Sequence, residues 1–253
     1  MTSSDRREAR FRRRKAAREA KRNERLSPCD DFGRVADLDS LCRSFNDCKK
    51  GVSWKESVQR FEANALCGIV ELRRRLLAGE SARRGFVEFT LRERGKVRRI
   101  KSVHITERIA QKSLCDNALA PILYNPLIHD NGASVKGKGI HFALRRLVSH
   151  MARFYRERGS NNVYALQIDF SKYFDNVDHG ILFGLIEKRV RDPRIIALAR
   201  DFVGAFGDGV SLGMGSQVSQ VCAIFYPNRL DHFIKETLRI RYYGQYNEGL
   251  PLE

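Results

Sequence analysis

Between Val163 and Asp169 the chain reads Val-Tyr-Ala-Leu-Gln-Ile-Asp. Tyr164, Leu166 and Ile168 share one face of an extended chain, and Val163, Ala165 and Gln167 share the other. Apolar side chains on both faces predict a mostly buried strand, so an α/β fold is expected. The strand ends in a carboxylate. After Asp169 come Phe170-Ser171-Lys172-Tyr173-Phe174-Asp175-Asn176-Val177-Asp178-His179 and a helical run from Ile181 to Val190. An acid where a buried strand emerges is well placed for a metal ion, although such an aspartate alone also serves as a turn or cap residue. Asp178 reads as the N-cap of the helix it precedes.

Helical spacing dominates what comes before. Apolar residues recur at three and four from Leu38 to Phe45 and from Trp54 to Leu77, where Trp54, Val58, Phe61, Leu66, Ile69, Val70, Leu72, Leu76 and Leu77 form core-facing stripes closed by Gly79. From Phe86 to Arg94 and Lys96 to Val103 the pattern alternates around Gly95, which predicts a hairpin with a basic tip. Thr106 is placed to cap a helix running through Leu119 to Pro121. Residues 125–139 read as a Gly/Asn loop, and a further helix spans about Ile140 to Arg158.

The chain carries 47 Lys and Arg against 30 Asp and Glu among 253 residues, a formal charge of +17. Such a balance favours a polyanionic partner, nucleic acid first. Residues 1–25 hold 11 basic and 4 acidic side chains, a net +7, with almost nothing apolar to bury. This basic, flexible tail is read either as an arm that becomes helical against phosphates or as a solvated extension. The remaining residues keep +10, so the basic character is general.

No window approaches the roughly 18 apolar residues that cross a bilayer, and no apolar run follows the N-terminal charges. A soluble, intracellular and cytoplasmic protein is expected, with no membrane partner. The six cysteines, Cys29, Cys42, Cys48, Cys67, Cys115 and Cys222, have no C-x2-C pair and no finger-spaced His, so they read as reduced thiols rather than zinc ligands.

The segment Ile168 to His179 closely resembles the first palm motif of reverse transcriptases of the group II intron, retron and diversity-generating type. Arg98-Arg99-Ile100 through Arg108-Ile109-Ala110-Gln111 resembles fingers segments of that family, and Asn131-Gly132-Ala133 with Lys136-Gly137-Lys138-Gly139 resembles its next block. Ser211-Leu212-Gly213-Met214-Gly215-Ser216-Gln217-Val218-Ser219-Gln220 is similar to its glycine-containing palm motif. The likeness covers roughly residues 50–246, in the family's order. A dinucleotide-binding glycine loop is the competing reading of 211–220, and it lacks the preceding strand and the acidic partner about 20 residues on.

The resemblance implies a right-hand polymerase in α/β form: a basic tail over 1–25, fingers over 26–158 and a partial palm over 159–253, with the thumb absent. It implies an RNA-directed DNA polymerase that takes template RNA, a DNA primer or primer–template duplex and deoxynucleoside triphosphates, using two Mg2+ ions. Asp169 is then the first metal ligand, with the Phe170 backbone carbonyl beside it. Phe174 matches the aromatic gate that leaves no room for a ribose 2′ hydroxyl, whereas by itself it reads as core packing. Arg92 and Arg98, flanking the hairpin turn, either contact the triphosphate or are solvated tip residues. Met214 and Gly215 fall at the nucleotide, Met214 standing where many members have glutamine. Lys136 and Lys138 are expected on template or primer phosphates.

The likeness breaks after a strand-like run, Ile240 to Tyr246. Family members continue with any residue and two adjacent aspartates; this chain continues Asn247-Glu248-Gly249-Leu250-Pro251. Gly249 takes the place of one carboxylate, and Pro251 interrupts the returning strand. The expectation is a truncated or frame-disrupted enzyme with little or no polymerisation. The rivals are a nucleic-acid-binding protein without catalysis and an unstable remnant whose open strand edge invites aggregation.

Overall fold

A computed structural model describes residues 3–93, 96–133 and 135–246. Helix α1 (Ser3–Leu26) comes first, so the basic segment is helical, and a single 3₁₀ turn leads from it into α2 (Phe32–Val35) and α3 (Leu38–Cys48). Helices α4 (Glu56–Glu62) and α5 (Ala65–Leu77) precede the hairpin β1 (Phe86–Glu93) and β2 (Lys96–Val103). Next come α6 (Ile105–Leu114), a π turn at Cys115–Leu119 and α7 (Ala120–Tyr124), in one continuous rod. The chain continues through α8 (Ile140–Arg158), a 3₁₀ turn (Tyr173–Asn176), α9 (His179–Ile186), α10 (Pro193–Gly204), α11 (Gln217–Phe225) and α12 (Asn228–His232).

Local chemistry sets many of these boundaries. Side chains of Asp31, Asp37, Asp178 and Asp192 accept from backbone N–H groups at the starts of α2, α3, α9 and α10, satisfying donors that a helix leaves open. Asp178 is therefore the cap its position predicts. Thr106 is not: the ring nitrogen Nδ1 of His104 accepts the Thr106 N–H at 3.2 Å, and Thr106 lies inside α6. Pro121 does not end the rod because the π turn immediately before it re-routes the hydrogen bonds that a proline cannot make.

The core forms where α2, α3, α5, α6, α7, α9, α10 and α11 meet, around Leu41, Ile69, Leu72, Ile109, Leu114, Phe183, Ile195, Phe202 and Val218. Helix α6 is its centre and is buried on nearly every side, although it carries Glu107, Gln111 and Ser113. Buried polar groups require partners. Ser113 donates to the Val35 carbonyl at 2.7 Å, and Gln111 Nε2 donates to Glu107 at 3.1 Å.

Three expectations need correction. Residues 163–169 are not a buried strand: the segment has no strand partner, and Tyr164 and Leu166 are 97% and 87% exposed. An alternating sequence sets where side chains point along an extended chain, but pairing and cover must come from elsewhere. Residues 240–246 are likewise not a strand and make only an isolated parallel bridge, Asn131 to Gln245. The described residues are thus mostly helical, with β1 and β2 as their one sheet. The third concerns the helices at 54–77: Val58, Ile69, Leu72 and Leu76 are buried as the spacing predicts, while Trp54, Leu66, Val70 and Leu77 are exposed. In α5 the buried three lie on one narrow stripe, and the others fall on the adjoining flank.

All six cysteines are free thiols. No helix among the described residues is long and apolar enough to cross a membrane.

Candidate functional site

The loop after residue 169 and the loop before α11 are far apart in sequence and lie against each other. The Leu212 N–H donates to the Phe174 carbonyl at 2.7 Å, the Ser211 N–H to the Val177 carbonyl at 3.0 Å and the His179 N–H to the Gly209 carbonyl at 2.9 Å. His179 Nε2–H donates to the Ser211 carbonyl at 2.6 Å; since a carbonyl only accepts, this contact fixes the proton on Nε2. An antiparallel bridge joins Asp178 and Val210. Tyr173 then anchors the first loop to α11, its hydroxyl donating to the Ala223 carbonyl at 2.7 Å. Burial raises the Tyr173 hydroxyl above its usual pKa, which keeps it a donor.

The backbone is strained on both sides of this seam. Lys172 has φ 48° and Ser211 φ 98°, two of the three non-glycine residues with positive φ among the described residues. Such conformations cost about 1–3 kcal/mol each and persist where surrounding contacts over-determine them. Here the seam's hydrogen bonds supply that determination.

Helix α6 joins the same assembly. The side-chain oxygen of Gln111 accepts from the Ser216 hydroxyl and from the Gln217 N–H, both at 3.1 Å, at the start of α11. Ser216 is fully buried and also caps α11 through the Ser219 N–H. No role for Gln111 follows from the motifs. Its signal was present in the sequence: a long polar side chain four residues after Glu107, in a helix otherwise packed all round.

A second junction ties the 130–133 loop to the end of the described chain. The Gly132 N–H donates to the Gln245 carbonyl at 2.7 Å, and the Gln245 N–H donates to the Asp130 carbonyl at 3.0 Å. The Asp130 side chain is 6% exposed as a residue and accepts from Arg146 Nε at 2.5 Å and Lys235 Nζ at 2.6 Å. Burial alone would raise this carboxyl, but the Lys235, Arg146 and His129 contacts outweigh it and hold the group well below the usual carboxylate range. Sequence reading missed Asp130.

The expected site residues scatter around this frame. Asp169 and Phe170 lie on the exposed segment before the seam, and the Phe170 ring centroid is 5.9 Å from that of Tyr173. Phe174 is half-buried against the core, its ring edge-on to Tyr173 at 5.9 Å. Met214 and Gly215 are half-buried in the turn before α11, where Gly215 has φ 101°. Gly213 answers to packing: a Cβ there would lie 1.8 Å from the Phe206 ring.

Arg92 is exposed on β1 opposite Val97, and position 98 pairs with Leu91. The two arginine positions therefore occupy alternate pleats of the ribbon. The Arg98 side chain, Arg94, Gly95 and residues 247–253 lie outside the described residues. Lys136 is exposed, while Lys138 is engaged: its ammonium donates to the His129 carbonyl at 2.9 Å and sits 5.1 Å from the Phe142 ring centroid.

Magnesium takes about six oxygen ligands and is held in two-ion sites by several carboxylates. Among the described residues no group of three or more His, Cys, Asp or Glu side chains is placed to hold a metal ion. Asp169 and the Phe170 carbonyl alone do not make a two-ion site.

In comparisons with known proteins, no family model matches the chain and no curated protein matches it.

Proposed function

We propose that this chain is a reverse transcriptase-like protein: the fingers and part of the palm of an RNA-directed DNA polymerase fold, which holds primer–template duplex and an incoming deoxynucleotide. The observation that carries the reading is the seam itself. Four segments that resemble family motifs pair with distant parts of the chain through specific polar contacts. The palm-like loops at 169–179 and 211–217 lie side by side, and Gln111 of the fingers-like segment fastens the second. This is the apposition that a nucleotide shared between those motifs needs. The +17 charge supplies the attraction for a polyanionic substrate.

When bound, magnesium in such an enzyme activates the primer hydroxyl and neutralises the triphosphate. Among the described residues Asp169 and the Phe170 carbonyl are the groups toward that chemistry. The chain's own contribution is to bind and to orient: Phe174, fixed by Tyr173 and the core, stands at the sugar, and the basic hairpin stands at the phosphates. The +17 charge and the basic α1 equally suit a second reading, a nucleic-acid binder without catalysis.

Primer extension on an RNA template with magnesium, run beside photo-cross-linking of a reactive deoxynucleotide, separates the two. The expected result is little or no incorporation, with cross-links on residues 169–179 and 211–217 that need primer–template. Incorporation abolished by Asp169→Ala would establish an active enzyme. Cross-links scattered elsewhere, with salt-sensitive RNA binding unchanged by Asp169→Ala, would leave the non-catalytic binder.

A further inference from the structure

Helix α1 segregates its charge. Arg7, Arg10, Arg14, Arg18, Lys21 and Arg25 follow one another at spacings of three and four. At 3.6 residues per turn they fall within about 80° of arc, and at 1.5 Å per residue they extend over about 27 Å. Arg6, Arg13, Arg22 and Lys15 flank this ridge, while Asp5, Glu8 and Glu19 lie on the far side with Ala9, Ala16 and Ala20; the exceptions are Glu24 on the flank and Arg12 on the far side, where it pairs with Glu8. The helix is exposed along nearly its whole length. It meets the body at its C-terminal end, where Arg25 donates to the Asn125 side-chain oxygen and Arg22 is half-buried near Arg189.

We infer that α1 is a separate nucleic-acid grip, a basic ridge that lies along a phosphodiester backbone outside the palm seam. The inference rests on the reading that this protein handles nucleic acid, and it adds where a second contact is made. Like charges three and four apart oppose a free helix, so the ridge is not there for the helix's own stability. A polyanion reverses the sign of that term through counterion release.

Nine of the eleven basic residues in 1–25 are arginine, whose planar fork matches phosphate oxygens. A membrane surface is the poorer fit. An interfacial helix needs an apolar face, and before Leu26 the described part of α1 offers Phe11 as its one large apolar side chain.

The test uses the full chain and a variant with Arg7, Arg10, Arg14, Arg18 and Lys21 changed to Gln, a good helix former. Arg25 is kept because it contacts the body. A third chain carries residues 3–26 rearranged at constant composition, so that the basic side chains are spread evenly around the helix. Circular dichroism checks that all three fold. Fluorescence anisotropy is then read on an RNA hairpin duplex, an RNA–DNA hybrid, single-stranded RNA and anionic phosphatidylserine vesicles.

Neutralising five phosphate contacts is expected to flatten the slope of log K against log salt by about 4 and to weaken nucleic-acid binding at least 100-fold near physiological salt. The rearranged chain is expected to lose at least tenfold. Equal affinity of the rearranged and native chains would overturn the ridge, as would an unchanged salt slope in the Gln variant or tighter binding to vesicles than to any nucleic acid. The RNA and hybrid arms show which backbone is held. Deoxynucleotide cross-linking at 169–179 in the Gln variant, read at low salt with saturating primer–template, reports separately on the palm seam, so α1 can fail while the polymerase reading stands.

Discussion

Gln111 and Ser216 stand 105 residues apart in the chain and are joined by a 3.1 Å hydrogen bond inside the core. The same Gln111 oxygen accepts the Gln217 N–H, so one side chain on α6 anchors both the cap and the first amide of α11. Gln111→Leu preserves bulk but takes the acceptor from the buried Ser216 hydroxyl and the part-buried Gln217 N–H. The expected cost is about 2 kcal/mol, within the range for an unsatisfied buried group. Urea unfolding measures it, and hydrogen exchange should accelerate first at the amides of Gln217 and its neighbours.

Asp130 is held by cations from two directions, Arg146 on α8 and Lys235 beyond α12. Asp130→Asn leaves both without their counter-charge, and a loss of about 3 kcal/mol is expected in a denaturant titration. The sign of the pH dependence follows from a folded pKa depressed below its ordinary value. The stabilisation is fully present above the unfolded carboxyl's pKa of about 3.9 and is lost as pH falls through the folded value. The stability gap between wild type and Asp130→Asn should therefore be constant near neutrality and close only in strong acid. A gap that peaked in acid would contradict this assignment.

Gly213 has no room for a methyl group, because Phe206 fills the space where a Cβ would stand. Phe206 in turn packs on Phe86 with ring centroids 4.8 Å apart, linking the turn to the hairpin. Gly213→Ala is expected to cost about 1–3 kcal/mol through overpacking. Adding Phe206→Ala should return part of that loss, and a double-mutant cycle by thermal unfolding would show the coupling. Strict additivity would mean that some other contact demands the glycine.

Asp169 and Tyr173, four residues apart, are expected to differ in what they contribute to stability. Asp169 is exposed, so Asp169→Ala should change stability by no more than about 0.5 kcal/mol while altering any magnesium-dependent readout. Tyr173→Phe removes the hydroxyl bond to the Ala223 carbonyl and should cost about 1 kcal/mol. Melting curves of the two variants against wild type give the comparison directly.

Much of the helical layout could be read locally. Spacings of three and four predict α3 and α5, a helix is expected over about 140–158 where α8 lies, alternation predicts β1 and β2, and Asp178 predicts the start of α9. These features depend on residues within a few positions of one another, which is why a linear string contains them. The candidate site was legible as motifs only: the segments around Asp169 and Ser211 stand out as text, but their adjacency does not.

Tertiary structure decided the rest. The stretch from Val163 to Asp169 alternates like a strand and yet stands uncovered, because a strand exists only where a second backbone meets its hydrogen-bonding edge. Gln111 and Asp130 each acquire a partner from a segment more than 100 residues away. The sequence by itself determined local conformation and overall charge; which buried polar groups satisfy one another was decided only when the packed core removed water as the alternative partner.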